Sequence, residues 1–219
     1  MHHTRLSIRL SLLACIALLM SGCATIQEAS NSLSCMLAHV TSASASDCGG
    51  AAQAGGSQAE RFARLQAALN RETQQARQSQ GRAVQAMRGL PAGQRALAGP
   101  VRTAQVRITD GQSGGVRSMT VFSSLSVEMP LAAKGRAEYT QAMDALKGLA
   151  NNLADNRGSS SIVVEQSDAD VRAERVNTST GTTYSQGGKP VTVIKKVDPA
   201  LPAGQERYTI EAGEIRGKL

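Results

Sequence analysis

Gly135-Arg136-Ala137-Glu138-Tyr139-Thr140-Gln141-Ala142-Met143-Asp144-Ala145-Leu146-Lys147-Gly148-Leu149-Ala150-Asn151-Asn152-Leu153-Ala154-Asp155 is the stretch that decides the fold class. Tyr139, Ala142, Met143, Leu146, Leu149, Ala150 and Leu153 recur at steps of three and four, which places them on one side of a helix. Gly158, after Asn156 and Arg157, is a C-terminal stop signal. On both sides of this helix the period is two. Upstream, Met119, Val121, Ser123, Leu125, Val127 and Met129 fall on one face of a long strand that Pro130 ends, with Phe122 out of phase.

Working outward, Val106 and Ile108 alternate with Arg107 and Thr109, and Asp110 to Gly115 form a turn. Downstream, strands are expected over Ser161 to Gln166, near 170 to 178 around Val171, Ala173 and Val176, and from Thr182 to Tyr184 after a hairpin turn at Asn177 to Gly181. Gly187-Gly188 turns the chain again. Val191, Val193 and Val197 share a face, and Tyr208, Ile210 and Ala212 alternate in a last strand. A helix among such strands predicts an α+β domain over 100–217, with a mostly antiparallel sheet packed on the amphipathic helix. Aromatic residues are 2% of the chain, so Val, Ile, Leu, Met and Ala must fill the core.

Residues 57–98 read as an Arg/Gln-rich helical segment preceding that domain. Ser57 and Glu60 have the spacing of a capping box. Phe62, Leu69, Ala76, Ala83, Leu90 and Leu97 repeat every seven residues, while the companion positions Leu65, Glu72, Ser79 and Ala86 are too weak for a strong coiled coil. Gly81, Gly89, Pro91 and Gly93 weaken its far end, so a helix is expected from about 58 to 88, followed by a broken turn or a second short helix. Residues 57–109 hold nine arginines against Glu60 and Glu72, a net +7, whereas residues 110–219 hold thirteen basic and thirteen acidic residues. Arg61, Arg64, Arg71, Arg77, Arg82 and Arg88 are therefore candidate contacts to an anionic partner, the alternative being a solvated face.

The N-terminal residues form three parts. Arg5 and Arg9 precede an apolar run from Leu10 to Met20, too short for a spanning helix of about 20 residues. Leu19-Met20-Ser21-Gly22-Cys23 then resembles the lipobox of bacterial lipoproteins, with Met20 where leucine is commonest. The resemblance implies a signal peptide over 1–22, acylation of Cys23 with palmitate-type chains, and membrane attachment by lipid. Ala24, by resemblance to the sorting rule, implies the outer membrane, facing the periplasm or the cell surface. Residues 23–56, rich in Ala, Ser and Gly, are expected to form a flexible tether. Residues 26–40 have the composition of a short helix. In an oxidising compartment Cys35 and Cys48 form a disulfide or remain two thiols, and a bridge would stabilise by about 3 kcal/mol.

No catalytic constellation emerges. His39 is the single histidine after Cys23 and lies in the tether, which disfavours a triad and a zinc site. Glu165, Asp168, Asp170 and Glu174 are the acids a hydrolase could pair, but Arg172 and Arg175 stand beside them. The layout from Val121 to Val176, strand, Leu-rich helix, strand, Arg-containing segment, resembles the peptidoglycan-binding OmpA-like domain. Where that family has Gly-His-Thr-Asp, this chain has Gln166-Ser167-Asp168-Ala169, and only Arg172-Ala173 and Arg175 echo its later motif. No binding residue is carried over.

The expected protein is a lipid-anchored component of the cell envelope, structural, assembly or protein-interacting, without catalysis or cofactor. The alternative is a module that binds the cell wall or an anionic ligand. The expected partners are the membrane, an envelope protein, and peptidoglycan or anionic lipid; nucleic acid is disfavoured by location. Replacing Cys23 by alanine is expected to abolish fatty-acid labelling in cells, and a variant that still labels would remove the anchor.

Overall fold

Ser57 opens helix α1 (Gln58–Ala86) with a complete capping box: its side chain accepts from Glu60 N–H, and the Glu60 carboxylate accepts from Ser57 N–H at 2.8 Å. The computed structural model of the chain describes residues 57–110 and 113–215. Cys23, Cys35, Cys48 and the helix expected over 26–40 lie outside the described residues. After α1 come β1 (Leu97–Thr109), β2 (Val116–Pro130), α2 (Ala137–Arg157), β3 (Ser160–Gln166), α3 (Asp168–Arg172), β4 (Ser179–Tyr184), β5 (Pro190–Val197) and β6 (Gln205–Ala212).

These strands form one sheet in the order β1-β2-β6-β3-β5-β4. Four neighbouring pairs are antiparallel, and β3 with β5 is parallel. The fold is α+β, as the alternation of helix and strand periods implies. Helices α1 and α2 lie against the sheet, and the opposite face carries polar side chains. On that open face Arg207 reaches Glu128, Glu165 and Asp198 at 2.9 to 3.2 Å.

The apolar stripe of α2 becomes the centre of the core. Tyr139, Ala142, Leu146, Leu149, Ala150 and Leu153 are buried with Leu125, Val127, Met129, Ile162, Val164 and Ile210 from the sheet. Gly158 ends α2 at φ 84, a left-handed cap where a side chain would be strained. The long β1–β2 hairpin extends past its neighbours, because β6 pairs with β2 only over Ser124–Pro130. Its free half packs with the start of α1 in a second cluster of Phe62, Leu65, Ala68, Leu69, Ile108, Met119 and Val121.

The heptad of α1 is thus a packing face, not a coiled-coil seam. Its weak companion positions, Glu72 and Ser79, are buried as well. Glu72 receives a two-pronged guanidinium from Arg157 in the last turn of α2, through Nε to Oε2 at 3.2 Å and through the second nitrogen to Oε1. Both side chains are nearly inaccessible, at 3% and 2% exposure. Burial raises the Glu72 carboxyl above its ordinary value, against the pull of Arg157.

Three local expectations need correction. The strand expected near 170 to 178 is instead α3 followed by irregular chain. Ser167 caps α3 by accepting from Asp170 N–H, Asp168 and Asp170 sit at its positive end, and Arg172 pairs with Asp168 at 2.8 Å. Gly181 lies inside β4, paired with Val193, rather than in a hairpin turn. Strand β1 begins at Leu97, within the segment expected to be helical.

Phe122, out of phase in the alternation, is fully buried. The register steps from Thr103↔Phe122 to Arg102↔Ser124, so Ser123 is the extra residue of a bulge that resets the alternation. A second bulge at Gly99–Pro100 is held by Gln80, whose Nε2 donates to Gly99 O at 2.9 Å and Ser126 O at 2.8 Å.

Replacing Arg157 by methionine leaves a carboxylate buried without its partner and is expected to cost about 3–5 kcal/mol. Glu72→Met/Arg157→Met is expected to recover much of that loss. Urea unfolding of the wild type and the two variants checks this; a double variant no more stable than Arg157→Met would refute it.

Candidate functional site

Gln166 ends β3 and Glu206 opens β6, directly across from each other in the sheet. On each strand the residue occupies the inward face, in phase with Ile162 and Val164 or with Tyr208 and Ile210. Glu206 is 1% exposed yet fully engaged. Its Oε1 accepts from Lys134 Nζ at 2.8 Å and Gln166 Nε2 at 2.9 Å. Its Oε2 accepts from Tyr139 OH at 3.1 Å and Tyr208 OH at 2.8 Å, and the two phenols meet at 2.6 Å.

Burial alone would raise the Glu206 pKa. Hydrogen bonds from Lys134, Tyr208 and Gln166, with the charge of Lys134, outweigh it and hold the carboxyl below its ordinary value. Burial pushes both phenols up, and the negative charge of Glu206 adds to the rise. Glu206 is therefore an ionised acceptor among protonated donors.

Above this cluster an open groove of about 540 Å³ is lined by Lys134, Gln166, Glu174, Arg175, Asn177, Thr178 and Lys195, among others. Lys195 donates to Asn177 Oδ1 at 3.5 Å. Arg175 reaches Asp170 at 3.4 Å. Asp170 is 1% exposed and also accepts from Ser167 Oγ at 2.6 Å and Gly204 N–H at 2.7 Å. Burial would raise its carboxyl, but Ser167, Gly204 and Arg175 together hold it below the ordinary value. Glu206 and Asp170 lie beneath the cations, so the groove presents Lys134, Arg175 and Lys195 outward with Glu174 as an exposed acid. Glu174 also has φ 55, an unusual conformation for a side-chain-bearing residue. Gln166 is 1% exposed, and its Oε1 has no hydrogen-bond partner among the described residues. The bond from its Nε2 to Glu206 fixes which end of the amide is left over.

The candidate arginines do not form one face. Arg61 bonds Asp110 through Nε at 3.2 Å and a terminal nitrogen at 2.7 Å, tying α1 to the β1–β2 turn. Arg64 donates to Glu60 O and Arg82 to Ser79 Oγ. Arg71, Arg77 and Arg88 are exposed. The helical spacing aligns Arg64, Arg71 and Arg82 along one flank and puts Arg77 and Arg88 on the other.

The four acids considered for hydrolysis are likewise separated by their partners. Glu165 pairs with Arg207 and Lys196, Asp168 with Arg172, and Asp170 with Ser167 and Arg175. No family model, curated protein or solved structure matches this chain.

The Glu206 cluster was readable in part. Gln166 continues the inward series of Ile162 and Val164, and Glu206 that of Tyr208, Ile210 and Ala212. A polar residue in phase with a buried series announces a buried hydrogen-bonding group. Lys134 comes from the turn before α2 and Tyr139 from its first turn, and only the tertiary fold brings them there.

Because Glu206 is lowered on folding, its stabilisation is present above the ordinary value near 4.5 and is lost as pH falls through the folded value. Wild-type stability is expected to fall in acid below about pH 4.5. Glu206→Gln is expected to lower stability at neutral pH and to flatten that acid slope, as read by urea unfolding at a series of pH values. An unchanged slope would contradict the assignment.

Proposed function

We propose that this chain is a lipid-anchored envelope protein that works by binding, as a structural, assembly or interaction component. The lipobox-like signal and the small-residue tether motivate the anchor. The single observation carrying the binding role is the groove beside Gln166. It combines an outward set of cations with a buried carbonyl oxygen that awaits a donor. An unsatisfied buried acceptor costs about 1–3 kcal/mol, and a ligand N–H would relieve it. The complementary ligand presents a carboxylate or other anionic group next to an N–H.

A cell-wall peptide has both groups. The succession β2, α2, β3 and the Arg-bearing α3 is the layout on which the resemblance to OmpA-like domains rests, and β3 ends at the groove. Those two points favour peptidoglycan as the ligand to try first. No described helix is long and apolar enough to cross a membrane.

The full mature chain is expected to co-sediment with purified peptidoglycan at low salt and less so at high salt. Arg175→Glu and Lys195→Glu are each expected to weaken this by about tenfold, a loss that corresponds to one charge-assisted contact. Absence of wild-type binding at low salt removes the cell-wall reading. Soluble fragments released during the assay would replace binding with hydrolysis.

A further inference from the structure

The hairpin that extends beyond the sheet stands where the tether joins the domain. Ser57, the last residue before α1, is brought to the β1–β2 turn by the Arg61–Asp110 pair. Thirty-three residues, 24–56, separate Cys23 from this end of the domain. The projecting end has three walls: α1 from Gln58 to about Thr73, β1 from Thr103 to Thr109, and β2 from Val116 to Ser123.

Charge on these walls is unbalanced in a particular way. Each acid is turned inward or used locally. Asp110 is 2% exposed and bonded to Arg61, Glu72 is buried against Arg157, and Glu60 closes the capping box. Arg71, Arg107 and Arg117 remain exposed on three sides. Arg117 stands 5.3 Å over the Phe62 ring, which holds its guanidinium at the tip. Beside it Val116 is 57% exposed, an apolar side chain at the end of a basic arm.

We propose that this arm is a membrane-facing surface that lies on the anionic phospholipid headgroups around the chain's own anchor. Phosphate groups suit the arginines, and the interface between headgroup and acyl chain suits Val116. The arm supplies a second, electrostatic membrane signal beside the lipid. Strand β2 runs from this tip to Pro130, next to Lys134, so the groove lies at the other end of the domain. An arm resting on the membrane turns the groove away from it, by about 40 Å on the length of α1.

The orientation rests on the lipid-anchor reading, whereas the test is made without the lipid. The full mature chain carrying Cys23→Ser is sedimented with phosphatidylglycerol–phosphatidylcholine vesicles and with pure phosphatidylcholine vesicles. Retention on the anionic vesicles alone, weakened by salt, is expected. Arg107→Glu/Arg117→Glu is expected to lower the partition coefficient by about 30-fold. Arg107→Glu, which leaves the Phe62 contact intact, should lower it by about fivefold. Arg77→Glu/Arg88→Glu, outside the arm, should stay within about twofold of the parent chain. Equal retention on both vesicles, no retention, or an equal loss in the Arg77/Arg88 pair overturns the proposal. Failure of Cys23 to acylate in cells would remove the anchor while leaving the vesicle result to stand or fall by itself.

Discussion

The ion pair between Glu72 and Arg157 is the junction on which the arrangement of this domain depends. Arg157 lies in the last turn of α2, and its guanidinium also reaches the carbonyls of Phe122 and Gly213 at 3.4 Å. One side chain therefore ties α1, α2, the bulge of β2 and the end of β6. The heptad of α1 explains why such a tie is useful. Phe62, Leu69, Ala76 and Ala83 repeat every seven residues, so a seven-residue slide would keep an apolar side chain at each contact and change only its size. Glu72 finds a buried cation in only one register. Desolvation makes the pair a poor source of net stability, as the raised Glu72 pKa indicates. Its contribution is to alignment.

That alignment sets where the charge of the chain appears. The N-terminal half is strongly basic, yet its arginines have different fates. Arg61 is used to fix the hairpin turn, and Arg82 bonds within the helix. Of the acids nearby, Glu72 and Asp110 are drawn inward and Glu60 closes the helix cap, so the positive charge that emerges is concentrated by the fold as much as by composition. The reverse happens at the groove. There the carboxylates of Glu206 and Asp170 stay ionised below the surface and hold Lys134 and Arg175 above them.

Much of this fold was legible in the sequence because most elements carry their own period. The stripe of α2, the alternation of β6 and the capping box of α1 are local patterns, and each corresponds to the element observed. The misreading at 170–178 has a specific cause. Val171, Ala173 and Val176 look like a strand only if side chains set the backbone by apolarity; here Ser167 and Asp170 set it by hydrogen bonding to the first turn of a helix. Phe122 fell out of phase because a bulge adds a residue that no local pattern announces. The parallel pairing of β3 with β5 was also invisible, since it depends on a crossover and not on either strand.

The groove shows the same division between what a chain states locally and what a fold assembles. Gln166 and Glu206 reveal themselves as polar residues in phase with buried ones, so the presence of an internal hydrogen-bonded group can be inferred from two short stretches. Its character cannot. Tyr139 and Lys134 arrive from α2 and the turn before it, and they make Glu206 an anion that accepts four hydrogen bonds. An ionised carboxylate can only accept, so it takes the Gln166 Nε2 and never the carbonyl, and Oε1 has no hydrogen-bond partner among the described residues. The satisfied acid and the unsatisfied amide are therefore linked: the network that closes around Glu206 fixes the orientation of Gln166 and leaves its Oε1 without a hydrogen-bond partner among the described residues.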